Sequence, residues 1–378
     1  MIHVDNKMYC CGCEACVQVC PRHCINFDSD SEGFSYPVVH VEKCIHCGLC
    51  ENVCPYLNRK EERKSSKPLK VLACKHPNKN IQLHSSSGGI VSLIAEKVIE
   101  EGGVVFGAKF DKDWSVIHEF TETLAGLTAF RGSKYVQSRI GSSFLLVKEF
   151  LEKSRLVLFI GTPCQVRALY LFLRQRYSNL LTIDLVCHGI GSPKVWRLYL
   201  EQYYSKDIIR SIAHRDKTLG WERYCLRVSY LHHGKKLVHC EDLRKNPYLR
   251  GFIHNIFLRP SCSNCPSKGF KSGSDFTCAD FWGIKTIAPN IYDKDGVSLL
   301  MVNNERAELF FNKLNISSFP MDYGSAYKYN PSIIASAPIH HFRHLFFLML
   351  GKINFKALVF FIQGINKLHR MMFKAKKV

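Results

Sequence analysis

Eight cysteines near the start of the chain have the spacing of iron–sulfur ligands. They form two runs of the pattern Cys-x2-Cys-x2-Cys-x3-Cys-Pro. Each cysteine of the second run lies 34 positions after its counterpart in the first run. Thiolates are the soft ligands that iron–sulfur clusters need, and in this pattern the fourth cysteine of each run ligates the other run's cluster. The sequence therefore predicts two 4Fe–4S clusters. The first quartet is Cys10, Cys13, Cys16 and Cys54, and the second quartet is Cys44, Cys47, Cys50 and Cys20.

Other uses of these cysteines fit the pattern less well. Zinc motifs also space cysteines closely, but they do not use eight in this interleaved order. Cys11 and Cys24 lie outside the spacing, and we interpret them as bystanders. The repeated unit is too small to bury a core without its metal. Residues 1–56 are therefore predicted to form a small α+β dicluster ferredoxin-like domain.

Four later cysteines have positions that suit a third cluster. Cys164 follows an apolar run that ends near residue 160, and Cys187 follows another that ends near residue 186. If these runs are neighbouring parallel strands, both cysteines lie at the carboxyl edge of the sheet, where open α/β sheets bind ligands. Cys262 and Cys265 form a Cys-x2-Cys loop between two prolines. We call these four the third quartet; buried bystander thiols are the alternative that spacing alone leaves open.

From about residue 70, the elements that must position these cysteines alternate between strands and helices. Short apolar runs predict strands, and apolar residues at helical spacing predict helices. The predicted strands are 71–74, 104–110, 156–160 and 181–186, and the predicted helices are 88–101, 144–151, 166–177 and 195–204. Residues 227–230 and 236–239 flank a His-His-Gly turn and predict a hairpin. This alternation indicates an α/β body with a mixed, largely parallel sheet.

The remaining segments are distinguished by their charge. Residues 57–69 are charged and aperiodic, and we interpret them as a linker. The body then spans 70–335, with an N-terminal part of about 70–150 and a C-terminal part of about 155–335. Residues 336–378 are predicted to form a basic, aromatic-rich helical tail, and the chain has no Asp or Glu from Tyr323 onward. Such a tail suits peripheral contact with an anionic membrane; a helical pair packed on the body is the alternative.

Composition limits the class of protein. Hydrophobic residues make up 46% of the 378 residues, which is enough for a buried core. The formal charge is +20, and three clusters, each about −2 with their thiolates, would reduce it to about +14. No basic patch with interleaved aromatic residues and no known nucleic-acid motif is found, so nucleic acid is not an expected partner. The absence of a signal peptide and of a run of about 20 apolar residues predicts a cytoplasmic protein with reduced cysteines, at most peripheral to the inner face of the membrane.

Several short segments of the body combine residues in an unusual way. They are Ser86-Ser-Gly-Gly89, Gly132-Ser-Lys-Tyr-Val-Gln-Ser138, Gly161-Thr-Pro-Cys-Gln165, Val186-Cys-His-Gly189, Cys262-Ser-Asn-Cys265 and Asp280-Phe-Trp-Gly283. With them the chain resembles the coenzyme F420 hydrogenase/dehydrogenase beta-subunit family over about residues 4–335. The resemblance implies that the body holds FAD and a third 4Fe–4S cluster. The implied cluster ligands are Cys164, Cys187, Cys262 and Cys265, with Cys278 as a substitute.

The resemblance also implies a set of flavin contacts. Glycines and a helix N-terminus suit a pyrophosphate, and the segment before a predicted helix at Ile90 supplies both; an N-capping Ser-Gly turn is the alternative. Lys134 and Tyr135 would offer a cation and a ring, unless their segment is an ordinary surface loop. Gln165 would bond the flavin ring edge or cap its helix. The full implied set is Ser86, Ser87, Gly88, Gly89, Ser133, Lys134, Tyr135, Gln137, Ser138, Thr162 and Gln165.

Together these features predict an iron–sulfur flavoprotein oxidoreductase, because a flavin exchanges hydride with one partner and single electrons with clusters. The expected partners are a redox protein, such as a ferredoxin or another oxidoreductase subunit, and a small molecule. That molecule is coenzyme F420 or another substrate, for example one of polysaccharide or lipid-linked precursor metabolism. No catalytic acid or base is identified, and His188 and His214 are interpreted as structural. The alternatives are a non-catalytic electron-transfer subunit and, more distantly, a nucleic-acid-binding iron–sulfur protein.

Overall fold

The computed structural model of the chain describes residues 1–59 and 67–375. The first range folds around the cysteine runs, with a two-stranded antiparallel ribbon between two short helices. In chain order its elements are α1 (Ala15–Gln18), β1 (Ile25–Ser29), β2 (Ser35–Val39) and α2 (Leu49–Asn52). Most of the predicted linker, residues 60–66, lies outside the described residues.

Strands and helices alternate through most of the second range. Its strands are β3 (Lys70–Cys74), β4 (Val104–Phe110), β5 (Val116–Thr121), β6 (Ser138–Arg139), β7 (Val157–Gly161), β8 (Leu180–Leu185), β9 (Ile208–Asp216), β10 (Cys225–His232), β11 (Lys235–Asp242), β12 (Phe276–Asp280), β13 (Ser298–Val302) and β14 (Ser318–Pro320). Its helices are α3 (Lys79–His84), α4 (Ile90–Glu100), α5 (Ser143–Glu152), α6 (Pro163–Leu173), α7 (Pro193–Tyr204), α8 (Pro247–Ile253), α9 (Ile284–Ile287), α10 (Glu305–Phe311), α11 (Tyr323–Tyr329), α12 (Arg343–Met349) and α13 (Phe355–Ala375).

Within residues 67–375, a mixed sheet of nine strands forms the centre of the body, in the order β14-β3-β13-β12-β8-β7-β4-β5-β6. The middle strands β12, β8, β7 and β4 pair in parallel, and antiparallel pairs flank them on both sides. Val104 and Phe106 face one hydrophobic core and Val105 faces another, so both faces of the sheet are covered. Burial on both faces explains the continuous apolar runs of these strands. The predicted mixed α/β fold is confirmed, with parallel pairing concentrated in the middle.

One predicted helix is shifted along the chain. Periodicity predicted a helix over 166–177, whereas α6 spans Pro163–Leu173. The helix begins earlier because Thr162 and Gln165 form a capping box and Pro163 suits the first turn. It ends earlier because Arg174 adopts a left-handed conformation with φ of 57°.

Strands β9, β10 and β11 form a separate antiparallel sheet, and the predicted hairpin is confirmed as β10 and β11. The connecting residues His233 and Gly234 both have positive φ, 46° and 75°, which a two-residue turn of this kind requires. Cys225 and Cys240 form a disulfide across the hairpin. The prediction that the cysteines are all reduced is therefore wrong for this pair.

The tail packs on the body through α12 and the first part of α13. Phe346 of α12 and Phe355, Leu358 and Ile362 of α13 are buried in a core that includes Tyr199 of α7. The structure thus shows the packed helical pair for residues 343–362. Among the residues described, no helix combines the length and hydropathy needed to cross a membrane.

Candidate redox site

The third quartet converges at the carboxyl edge of two neighbouring strands. Cys164 lies in the first turn of α6, directly after β7, and Cys187 follows β8. These strands pair in parallel, as expected, so both cysteines leave the sheet at the same edge. Cys262 lies in a 3-10 turn, Pro260–Asn264, and Cys265 ends that turn. The other three thiols lie close enough to Cys187 to raise its pKa, so the structure brings the predicted set together.

The chemistry of this donor set fits an iron–sulfur cluster. Burial, and then the neighbouring sulfurs, raise the pKa of Cys187 well above its usual value. Buried thiols that repel one another when ionised favour a cationic metal centre between them. The backbone N–H of Ile190 donates to Cys262 Sγ at 3.4 Å, and the Thr162 hydroxyl lies 3.2 Å from Cys164 Sγ. Outer hydrogen bonds of this kind orient metal ligands.

The two quartets of the dicluster domain are also assembled. In the first quartet the pKa of Cys16 is raised well above its usual value, by burial first and then by the charges of its partners Cys13, Cys10 and Cys54. The four cysteines of the second quartet line one small pocket, at which Cys47 is exposed. Cys11 and Cys24 lie against ligand cysteines, so both are closer to the cluster sites than their spacing indicated.

Arg259 joins the dicluster domain to the body. Its side chain is 1% exposed and donates to Cys10 O at 2.7 Å, Gln137 Oε1 at 2.8 Å and Ser35 O at 2.9 Å. One of its nitrogens lies 3.5 Å from Cys10 Sγ, and the residue directly precedes the turn that carries Cys262. A buried cation therefore lies between the first and third quartets, and the sequence offered no local signal for it.

A cavity of about 420 Å³ opens beside the third quartet, and Cys164 and Cys187 border it. This volume is typical of a small-molecule site. Gly88 does not line the cavity; a Cβ at that position would lie 2.5 Å from Cys74 O, so this glycine lets the loop pack against β3. The other residues expected to contact a flavin do line it: Ser86, Ser87, Gly89, Ser133, Lys134, Tyr135, Gln137, Ser138, Thr162 and Gln165.

The loop before α4 turns a helix N-terminus toward the cavity. Gly89 caps α4 with φ of 91°, and no side chain caps the helix among the residues described. The serine hydroxyls bond elsewhere: Ser86 pairs with Ser133 at 2.9 Å, and Ser87 donates to Val297 O at 2.8 Å. The serine N-cap alternative is therefore wrong. The first N–H groups of α4 are instead placed to meet an anion.

Two of the expected flavin contacts are already engaged within the protein. Lys134 Nζ donates to the carbonyls of Phe130, Arg131 and Gly132, and burial lowers its pKa to about 7. Gln165 completes the capping box of α6 and donates to the Ser138 hydroxyl at 2.9 Å. The helix-cap alternative is therefore the arrangement that the structure shows for Gln165.

Arg215 is a cavity residue that the sequence did not single out. Two of its nitrogens donate to the carboxylate of Asp280, each at 2.9 Å, and its guanidinium stacks 3.9 Å from the ring of Tyr224. It also donates to Ser86 O at 3.4 Å, whereas its Nε has no hydrogen-bond partner among the described residues. A buried, fixed cation thus lies beside the loop of residues 86–89. The segment Asp280–Gly283 was the one sequence signal that pointed here.

His188 and His214 make contacts within the protein, whereas one ring nitrogen of His118 has no partner among the described residues. His188 pairs with Asn255 Oδ1 at 2.6 Å, and His214 Nδ1 accepts from Tyr135 N at 2.7 Å, which are structural contacts. His118 lines the cavity, and burial lowers its pKa to about 4, so the ring is neutral. Its Nε2 lies 3.1 Å from Ile160 O, and its Nδ1 has no partner among the residues described. Because Nε2 faces a carbonyl oxygen and carries the proton, Nδ1 is an unpaired buried acceptor within the described part of the chain.

Comparisons with known proteins agree with this architecture. Residues 154–319 match the family model for the C-terminal part of the beta chain of coenzyme F420 hydrogenase/dehydrogenase, and residues 9–58 match that of a 4Fe–4S dicluster domain. An uncharacterized protein of Methanocaldococcus jannaschii is 25% identical over 341 residues, which are 80% of this chain and 86% of that protein. The F component of the F420H2 dehydrogenase of Methanosarcina mazei is 23% identical over 194 residues, which are 47% of this chain and 53% of that component.

Two further comparisons concern a short segment and a solved structure. The I component of the NADH-quinone oxidoreductase of Pelobacter propionicus is 33% identical over 60 residues, which are 14% of this chain and 32% of that component. A chain of the F420-reducing NiFe hydrogenase complex of Methanosarcina barkeri aligns with a TM-score of 0.48 and 17% identity, covering 72% of this chain and 92% of that one. Residues 154–319 thus match the C-terminal domain of the coenzyme F420 hydrogenase/dehydrogenase beta subunit, this domain follows a 4Fe–4S dicluster domain, and the chain is an iron–sulfur electron-transfer protein related to that beta subunit.

Proposed function

We propose that this chain is an iron–sulfur flavoprotein oxidoreductase that binds FAD in the cavity and three 4Fe–4S clusters at the three quartets. The observation that carries the proposal is that Cys164 and Cys187 belong to the third quartet and also border the cavity. A ligand in the cavity would therefore lie directly against cluster ligands. The two-electron partner is coenzyme F420 or another hydride donor or acceptor, and a ferredoxin or oxidoreductase subunit exchanges single electrons with the dicluster domain.

The two ends of the cavity have different roles: one favours an anion, and the other borders the third quartet. A bound flavin supplies the exchange between hydride transfer and single-electron transfer. At the loop end, the N-terminus of α4 and Arg215 favour the negative charge of a pyrophosphate. Two nitrogens of the Arg215 guanidinium donate to the Asp280 carboxylate, which fixes the orientation of the guanidinium. At the other end, Cys164 and Cys187 connect the cavity to the third quartet.

The direct test is the cofactor content of protein purified without oxygen. Iron and sulfide would be counted per chain, and the released flavin identified by its ultraviolet–visible spectrum. About 12 irons and one FAD per chain are expected for three clusters and a flavin. About 8 irons and no flavin would overturn the proposal and favour a non-catalytic electron-transfer subunit.

Removing the cation of the cavity should weaken FAD binding. We expect the double variant Arg215→Gln/Asp280→Asn to raise the Kd for FAD by roughly tenfold to a hundredfold, because a hydrogen bond to a charged group contributes about 1.5–3 kcal/mol. Changing both partners avoids a buried, unpaired carboxylate. Fluorescence titration of the flavin-free protein with FAD measures the Kd.

The matched control is Arg223→Gln/Asp242→Asn. This pair also joins an arginine to a carboxylate, at 2.6 Å, but neither residue lines the cavity. The control variant should bind FAD as the wild-type protein does. Equal Kd values for the cavity variant and wild type would remove Arg215 from the FAD site.

We also propose that the distal part of α13 contacts an anionic membrane surface. Phe361, Leu368 and Met372 recur at helical spacing and are 46%, 59% and 61% exposed, and the exposed Lys367 and Arg370 lie among them. An apolar stripe with basic neighbours is typical of helices that lie in a membrane interface. Removing the whole tail would also remove the buried Phe346, so surface substitutions are the sharper test.

We expect Leu368→Glu/Met372→Glu to reduce sedimentation with phosphatidylserine vesicles, whereas Leu309→Glu should not. Leu309 is 69% exposed on α10 and controls for a new surface carboxylate. Wild-type binding should fall as salt is added and should be weaker with phosphatidylcholine alone, because basic residues are attracted to anionic lipid. Equal partitioning of wild type and the double variant would contradict a membrane role for this helix.

A further inference from the structure

Two cysteines outside the quartets lie against cluster ligands. Cys24 Sγ is 3.4 Å from Cys20 Sγ, and Cys24 lines the same small pocket as Cys44, so both neighbouring thiols belong to the second quartet. Cys11 packs in one buried cluster with Cys13 and Cys164, which belong to the first and third quartets, and it lines the cavity together with Cys164. Both side chains are buried, at 2% and 8% exposure for Cys24 and Cys11.

These two thiols differ from the other free cysteines outside the quartets. Cys74 and Cys278 lie on strands of the central sheet, in a core of apolar side chains. Cys278, the expected substitute ligand, therefore lies on β12 rather than among the sulfurs of the third quartet. Each quartet already supplies the four thiolates that a 4Fe–4S cluster takes. Cys11 and Cys24 are thus additional thiols in contact with complete ligand sets.

We propose that Cys11 and Cys24 donate S–H hydrogen bonds to cluster ligands and thereby set the reduction potentials of the clusters. A free thiol is a weak donor, and hydrogen bonds to the sulfurs are among the factors that set cluster potentials. Such a bond stabilises the reduced cluster, which is more negatively charged, and so raises its potential. Cys24 acts on the second cluster alone. Cys11 acts on the first and third clusters together.

The position of Cys11 gives it a role that Cys24 cannot have. Cys11 belongs to the dicluster domain, but it packs in one cluster with Cys164 of the body and lines the cavity beside it. The neighbouring Gly12 has φ of 69°, and a Cβ there would lie 2.2 Å from the Gln137 amide nitrogen. The backbone at this point is therefore held closely against the body. One thiol couples the potentials of two clusters that lie in different parts of the chain.

The experiment is an anaerobic redox titration, followed by electron paramagnetic resonance, of Cys11→Ala and Cys24→Ala. Cys47→Ala and Cys262→Ala, which each remove one ligand, assign the signals of the second and third clusters. We expect Cys24→Ala to shift only the second cluster to a more negative potential. Cys11→Ala should shift the first and third clusters and leave the second unchanged. Cys278→Ala, a buried thiol without cluster contacts among the described residues, should shift none.

The serine variants separate hydrogen bonding from packing. Cys11→Ser and Cys24→Ser keep a donor at each site, so they should restore part of each shift and remain usable if an alanine variant fails to fold. Unchanged potentials in the alanine variants, or equal shifts in all three clusters, would overturn the proposal. Loss of about four irons would also overturn it, because the cysteine would then be a ligand.

The predicted effect of Cys11 on the third cluster rests on the proposed function, because that cluster is part of it. The hypothesis of a third cluster and the hypothesis that these thiols set potentials can fail separately. About 8 irons in the wild-type protein would remove the third cluster. The predicted shifts of the first and second clusters would still be measured in that case, and they decide whether these thiols set potentials.

Discussion

Replacement of Cys262 by alanine is expected to remove about four of about twelve irons per chain, because a 4Fe–4S cluster depends on four thiolates. Cys262 is chosen because it lies in the body, where its sulfur accepts the N–H of Ile190, and not in the dicluster domain. The two N-terminal clusters should remain, with their absorbance and resonance signals unchanged. Iron and sulfide analysis of anaerobically purified protein measures the loss.

The matched control for this experiment is Cys278→Ala, since Cys278 is a buried thiol at 3% exposure on β12. It should keep all its iron. If Cys262→Ala retained the full iron content, the third quartet would not be a cluster site. If Cys278→Ala lost iron instead, the substitute ligand considered from the sequence would be the correct one.

Arg259→Met is expected to lower the free energy of unfolding by about 3–5 kcal/mol, because each buried acceptor left without its donor costs about 1–3 kcal/mol. The substitution leaves Cys10 O, Gln137 Oε1 and Ser35 O without their buried donor. It also removes the cation that stacks 4.4 Å from the ring of Tyr36. Urea-induced loss of iron–sulfur absorbance, followed without oxygen, should occur at a lower midpoint than in wild type.

Lys194→Met is the control for the same boundary between domain and body. Lys194 is exposed and donates to Ser31 O at 2.8 Å, so its loss should change stability by no more than about 0.5 kcal/mol. Coincident urea midpoints for Arg259→Met and wild type would show that the dicluster domain does not depend on this arginine. The variant also tests whether a buried cation is needed between the first and third quartets.

Much of the fold could be read from local patterns in the sequence. The strands β7 and β8 can be recognised in the sequence as continuous apolar runs. Parallel strands are buried on both faces, so apolar and polar residues do not alternate along them. Their pairing was inferred correctly, and it placed Cys164 and Cys187 at one edge. The capping box at Thr162 is also present in the sequence, and it marks the start of α6 at Pro163 more accurately than apolar periodicity does.

What the sequence does not reveal concerns side chains whose partners are distant in the chain. Spacing alone predicts that Cys11 is a bystander, whereas in the structure it packs in one cluster with Cys164, 153 positions later. The disulfide between Cys225 and Cys240 depends on strand register, which brings the two residues together diagonally across the hairpin.

By itself the sequence determined the iron–sulfur chemistry of this protein, because the ligands of each N-terminal cluster come mainly from one short run whose spacing is set by the cluster. It also determined the α/β class, because burial imposes a period on each strand and helix. Only the tertiary structure decided that Arg259 and Cys11 link the dicluster domain to the body, and that Arg215 lies in the cavity beside Ser86. Arg259 and Cys10 are 249 positions apart. Contacts over such separations depend on how whole elements pack, and no local pattern records them.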